Sequence, residues 1–375
     1  MSCPKCKESA RFQARREKGV VLLLGEIRVD RAYYYCPACR GGWCPRDAEL
    51  RLGPCDLSPG AAWAVATAGV LGSFAEAAEK TLPELCGLKL SESTVQRVTE
   101  RIGAAVGVKL AAGGTFGDAK DWAWSKDEDG KTFACVSADL TGVGMQGVKG
   151  AKADGRMAAV GMVWNPGVDG QVRYVCGLTG GLADLGDPLR RQAGQVGFDR
   201  AERWIAISDG GSGIEDWLRL NFPRVDDVIL DFFHAAEHLC DWAKGLHPNE
   251  DEAKTVGASW CRRLKHEGGT AVLADLRAMD VTTCSEQVRE SHRELLVYFE
   301  NQVHRMDYPR YRSKGWPIGS GPVEAACKQV VNQRLKGTGM RWCEPGADAV
   351  CHLRALFRSE KGQWQACKAA LNLAA

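Results

Sequence analysis

No run of apolar residues in this 375-residue chain approaches the ~20 needed for a membrane-spanning helix, so no membrane partner is expected. The opening residues, MSCPKCKESARFQARREKG, hold no apolar stretch of signal-peptide type, and a cytoplasmic protein is expected. A glycine-rich phosphate loop of the dinucleotide or P-loop kind is missing, which disfavours a nucleotide-dependent small-molecule enzyme. There is no fixed-period repeat and no low-complexity tract. Neither sign of charge is in excess: 49 Lys and Arg face 47 Asp and Glu, a net +2. A nucleic-acid partner would therefore have to be met by local patches, not by the overall field.

Cysteine, by contrast, is abundant, with sixteen in the chain. Without a secretory leader, reduced thiols and a metal site are expected in place of a disulfide framework. Four of them form two CPxC pairs, Cys3-Pro-Lys-Cys6 and Cys36-Pro-Ala-Cys39. The intervening VVLLLGEIRVDRAYYY is rich in β-branched and aromatic residues and reads as a hairpin turning near Gly25. Two knuckles at the ends of a hairpin describe a zinc ribbon over 1–55, with Cys3, Cys6, Cys36 and Cys39 as tetrahedral Zn²⁺ ligands.

Residues 56–125 read as helical. Ser58-Pro59 is a helix start, and Ser91 caps a helix whose Val95, Val98 and Ile102 share an apolar face. Arg97 and Arg101 lie on other faces of that helix. A helix, a glycine turn and a capped helix suggest a helix-turn-helix-like DNA-binding region; an ordinary helical packing unit is the open alternative. Strand patterns then dominate 126–239: KTFACVSADL, GRMAAVGMVW and GQVRYVCGLTG, followed by RWIAISDG and VDDVILD alternating with helical segments. The expected fold class is α/β, with a layer of mixed strand directions. Residues 240–312 form an expected helical insertion, and 313–375 return to the core and end in helices.

Asp139 and Asp209 each follow an apolar β run, where open α/β sheets place their sites. Glu324 is the lone acid of PIGSGPVEAACKQVVNQRLKGTGMRW. Three converging carboxylates suit Mg²⁺ (or Mn²⁺) and in-line phosphoryl transfer. The plainer readings are turn residues for the two aspartates, and a dipole-favoured acid or an i,i+4 partner of Lys328 for Glu324. Lys328, Arg334, Lys336 and Arg341 form a basic strip suited to a phosphodiester backbone, and Trp342 is either a base-stacking platform or a core aromatic.

The ordered series CPxC, RAYYYCPAC, GGWCPRD, SESTVQRVTE, DLTGV, SDG, DFFHAAEHL and the long run from Tyr298 to Trp342 resembles bacterial insertion-sequence transposases of the ISKra type, over nearly the whole chain. The resemblance implies a DDE recombinase with a ribonuclease-H-like core. Its triad falls on Asp139, Asp209 and Glu324, and its substrate is double-stranded DNA, both element ends and target, bound by a homo-oligomer in association with the nucleoid. It departs from the expected Asp-Gly-Thr-Gly at Leu140. Asp231-Phe-Phe-His234 also resembles the Asp/Cys-x-x-His motif of mutator-like transposases, which implies a place for His234 beside the metal site; a zinc site from Asp231, His234 and His238 stays open. A transposase-derived DNA-binding protein without chemistry and a structure-selective nuclease of the same fold are the alternatives.

Overall fold

The computed structural model describes residues 1–52, 55–148, 151, 153–211 and 213–373. Alternating residues of the N-terminal segment build a long antiparallel hairpin from β1 (Arg11–Leu22) and β2 (Gly25–Cys36). Gly25, at φ +132°, makes the turn in a conformation that side chains resist. The short β3 (Gly41–Trp43) joins β2, and α1 (Pro45–Glu49) follows. The core of this unit is small: Cys3, Ala10 and Cys36, flanked by Tyr34 and Trp43. A unit of this size buries too little apolar surface to rely on packing alone.

The next helices are α2 (Pro59–Leu71), α3 (Phe74–Glu76), a π turn at Ala77–Thr81, α4 (Leu82–Cys86) and α5 (Glu92–Ala111). Ser58 caps α2 by accepting from the Ala61 N–H at 3.3 Å, with Pro59 in the first turn. Ser91 caps α5 in the same way through Thr94, also at 3.3 Å. Gly87, at φ +64°, ends α4 as a left-handed cap. α2 is apolar on all sides because two cores claim it. Val65 and Ala68 join the main core, while Trp63 and Val70 join a smaller one with Phe116, Leu353 and Leu356. α5 buries Val95 and Val98 in that main core, so the helices of 59–111 share a core with the sheet described next.

That sheet has five strands: β4 (Phe133–Val143), β5 (Arg156–Trp164), β6 (Val172–Gly177), β7 (Arg203–Ser208) and β8 (Val225–Leu230), in the order β6-β5-β4-β7-β8. β4, β5 and β6 are antiparallel, and β4, β7 and β8 are parallel. The parallel connections run through α6 (Gly181–Gln195) and α7 (Ile214–Asn221). The two-residue period sorts the faces. Ala134, Val136 and Ala138 pack with Leu185, Leu189 and Leu218 of α6 and α7, and Phe133 and Cys135 join the main core on the other face.

α8 (Phe232–Leu246) leaves the end of β8 and runs unbroken past residue 240, so the boundary expected there falls inside a helix. α9 (Glu250–Ala278), kinked where Gly268 takes φ +85°, α10 (Glu286–Gln302) and α11 (Tyr308–Ser313) make up the helical stretch that follows. The chain then returns through α12 (Gly321–Ala326), a π turn at Cys327–Asn332, α13 (Gln333–Leu335), α14 (Glu344–Arg358) and α15 (Gln363–Leu373). Among the described residues no helix is long and apolar enough to cross a membrane.

Candidate metal centre and acid row

The four knuckle cysteines converge as their spacing requires. Their sulfurs lie within 4.8 Å of one another, with Cys3 to Cys39 at 3.6 Å and Cys6 to Cys36 at 3.5 Å. Zn–S bonds of ~2.3 Å at tetrahedral angles put sulfurs ~3.8 Å apart, so this cluster can hold zinc with small adjustment. Backbone N–H donation from Cys6 brings the Cys3 thiol down to about 7, while burial and the neighbouring sulfurs push Cys6 the other way, so Cys3 is the first of the pair to supply a thiolate. The residue after each knuckle, Lys7 at φ 65° and Arg40 at φ 54°, is left-handed, and the two half-sites share that turn.

The second constellation is written in the register of the large sheet. Ser137 of β4 pairs with Ile207 of β7, and Asp139 and Asp209 each stand two residues further on. Ser208 pairs with Leu230 of β8, and Asp209 and Asp231 each stand one further. The three aspartates thus form a row across three parallel strands. They take the same alternation as Cys135, Ile205, Ile207 and Ile229, so they belong to the face that α12 covers. β4 does not end at Asp139, as the sequence suggested. It outgrows β7 and continues to Val143, paired with β5 alone, because its antiparallel partner is the longer neighbour.

Glu324 enters the row from α12. Its hydrogen-bond partner is the Ser320 hydroxyl at 3.2 Å, one turn earlier, and not Lys328. Ser320 is buried and also donates to Asp231, so a single hydroxyl proton is shared between two carboxylates. The Cys327 thiol donates to Oδ2 of Asp139 at 3.3 Å. Burial raises the Asp139 carboxyl above its ordinary value, and the charges of Asp209 and Glu324 push the same way, against the Cys327 and Leu140 hydrogen bonds. The register and the Ser320 bridge thus bring the acids to the same end of the sheet. They are not drawn into one tight ligand shell, however: among the described residues only the four cysteines form a group that close. Asp209 also realises its plainer reading, accepting the Gly211 N–H at 3.0 Å in an Asx turn.

The candidate residues around the row divide into two sets. Lys328, Lys336 and Arg341 are exposed, as are Arg97 and Arg101 on α5. Lys336 reaches back to the Thr141 hydroxyl at 2.6 Å, on the β4 extension just past Asp139. Arg334 and Trp342 are corrections to the expected strip, being only 2% and 6% exposed. The reason is α2, whose last carbonyls need donors: Arg334 donates to Gly69 O at 2.8 Å and Arg354 to Val70 O at 3.1 Å. The Arg334 guanidinium then lies over Phe74 and Trp342, at 4.5 and 4.9 Å from the ring centres. Arg354 also serves the π turn after Glu324 by donating to the Gln329 and Val330 carbonyls.

His234 is half-buried in the first turn of α8, 5.0 Å from the His238 ring, whose other neighbour is Tyr298 at 4.1 Å. Both Asp231 oxygens are engaged, one by the Phe233 N–H at 2.8 Å and the other by Ser320. That commitment opposes a zinc site built from Asp231 and the two histidines.

Sequence reasoning missed four residues here: Ser320, Cys327, Tyr298 and Arg305. The first two lie four before and three after Glu324, a helical spacing that the sequence displayed. Tyr298 carries a buried hydroxyl without a hydrogen-bond partner among the described residues, and a side chain at Gly210 would meet its ring at 3.1 Å. Arg305, 1% exposed, follows α10 yet bonds the ends of β7 and β8, and nothing in the sequence pattern marks that long-range role. No family model matches the chain, and no curated protein matches it.

Proposed function

We propose that the chain is a divalent-metal-dependent polynucleotidyl transferase of the DDE type, cutting DNA at insertion-sequence ends and joining the 3′-hydroxyl to target DNA. The observation that carries this reading is geometric: the sheet register sets Asp139, Asp209 and Asp231 at the ends of neighbouring parallel strands, and Ser320 ties Glu324 to that row. The sheet supports it: an antiparallel meander continued by two parallel crossovers, with acids at the parallel carboxyl ends, is the frame a ribonuclease-H-like core requires. Carboxylates gathered at one sheet end suit a divalent cation, and Asp139, Asp209 and Glu324 are the residues that would hold Mg²⁺ or Mn²⁺. Bound there, such ions would stabilise the attacking and leaving oxygens of the transfer.

The chain's own residues would supply the rest. Lys328, Lys336 and Arg341 are exposed, with Lys336 at Thr141 just past Asp139, and would contact phosphates and set the position of the duplex. Arg97 and Arg101 offer a second basic contact on α5, and the ribbon a third surface. His234 stands one turn into α8, beside Asp231, in a place suited to orienting the scissile phosphate. Two ends must be joined, so a homo-oligomer on DNA belongs to this reading.

The test is Mn²⁺-dependent nicking and strand transfer on a duplex carrying the DNA that flanks the gene. Cleavage by wild type and none by Asp209→Asn supports the reading, and equal cleavage by both removes Asp209 from it. A second reading, a DNA-binding protein without chemistry, is favoured by the looser spacing of the acids relative to the cysteines. Binding of that duplex with no nicking under any divalent ion would select it.

A further inference from the structure

Phe233 follows Asp231 of the acid row by two residues, and it is 66% exposed. Its position is nonetheless fixed. Its backbone N–H is held by Oδ1 of Asp231 at 2.8 Å, as the second residue of a capped helix. One edge of its ring rests against Gly319, where an added Cβ would lie 2.8 and 2.9 Å from Cε2 and Cδ2. Phe232 meets it edge-on, with ring centres 5.5 Å apart. Phe232 itself is buried against Tyr308 at 5.3 Å, so one of the two supports of Phe233 is core. Gly319 belongs to the segment that leads into α12, and Ser320 links that segment to both Asp231 and Glu324. The exposed ring is therefore held by the same elements that place two of the four acids.

Such a ring contributes little to its own fold, since most of its surface stays in water. A rigid aromatic face beside a phosphodiester-cutting site has a natural ligand in an unpaired base, because every base has a π-face and stacking needs no particular sequence. Trp342, the aromatic that the sequence offered for this task, is closed off in the core. We infer that Phe233 is a stacking platform for an unpaired nucleobase of the DNA strand lying at the acid row, an inference that rests on the nucleic-acid reading above.

The probe is a single-stranded oligonucleotide carrying 2-aminopurine, bound in Ca²⁺ to the Asp139→Asn chain so that no cutting intervenes. Its fluorescence is expected to be quenched on binding. Phe233→Ala is expected to lose most of the quench and about 10-fold in affinity, while Phe233→Trp retains both. The melting temperature of Phe233→Ala should match its parent, which separates lost stacking from lost fold. Leu220→Ala, at a residue 78% exposed on α7, serves as an apolar surface control and should bind as its parent does. Equal affinity and quench in Phe233→Ala overturn the inference and leave the nucleic-acid reading standing. A parent chain that binds neither this strand nor a duplex removes both.

Discussion

The guanidinium of Arg305 grips the hydroxyl of Ser208 at 2.6 Å, and through Nε it also holds the Val228 carbonyl at 3.3 Å. One buried cation from the end of the helical stretch thus ties together the two strands that carry Asp209 and Asp231. Arg305→Lys keeps the charge but replaces two separate nitrogens of a rigid fork by one, which cannot stand in both positions at once. It should lower stability by ~2 kcal/mol, seen as an earlier thermal midpoint. An unchanged midpoint would mean that the strand ends hold themselves.

The ribbon should carry one zinc per chain by elemental analysis, and Cys36→Ser should abolish it. The left-handed turns at Lys7 and Arg40 strain residues with a Cβ, at a cost of ~1–2 kcal/mol each. Lys7→Gly and Arg40→Gly should therefore each raise the chelator concentration that unfolds the ribbon. The glycine's extra unfolded-state entropy offsets part of the gain. A lower chelator midpoint in both would refute strain at these positions.

Asp139 is the acid whose charge the fold tolerates least. Its carboxyl is raised by burial first and by Asp209 and Glu324 next. A raised carboxyl binds its proton more tightly in the folded chain than in the unfolded one. The penalty is therefore absent below the unfolded value and grows as pH climbs through the folded one. Asp139→Asn removes that charge, so it should melt later than wild type at pH 7 and lose this advantage below pH ~4. The same variant should show no Mn²⁺-dependent cleavage. Calorimetry at the two pH values, together with the nicking assay, checks both statements.

Arg334 and Lys336 stand two residues apart and should behave as opposites. Arg334→Ala strips the Gly69 carbonyl of its donor and hollows the site between Phe74 and Trp342, so a loss of ~3 kcal/mol is expected in denaturant unfolding. Lys336→Ala should leave the midpoint unchanged and flatten the salt dependence of duplex binding by about one unit of slope. A stable Arg334→Ala chain with weakened DNA binding would reverse the assignment.

Periodicity carried most of the fold. All five strands of the large sheet lie where apolar β-branched runs put them, the hairpin where alternation does, and the caps at Ser58 and Ser91 where N-terminal signals do, because each is decided within a dozen neighbouring residues. Asp139 and Asp209 stood out for the same reason, as charged residues closing apolar runs, whereas Glu324 stood out as the lone acid of a basic segment. What was not visible was decided across the fold. Arg334 reads as one more base in a basic stretch, and only the end of α2, more than two hundred residues away, explains its burial. Arg305 and Tyr298 reach the acid row from helices whose docking no local pattern records. The extra length of β4 was hidden too, since it depends on which neighbour is longer.

Where α5 crosses α14, the two backbones all but touch: a Cβ at Gly103 would sit 2.2 Å from the Ala349 carbonyl oxygen. Arg97 and Arg101 ride on the same rod as that crossing, and α14 in turn lies against β6. The position of those two arginines is therefore set against the sheet through packed helices. A side chain at Gly103 would have to push the two helices apart, and with them the path from α5 to the sheet.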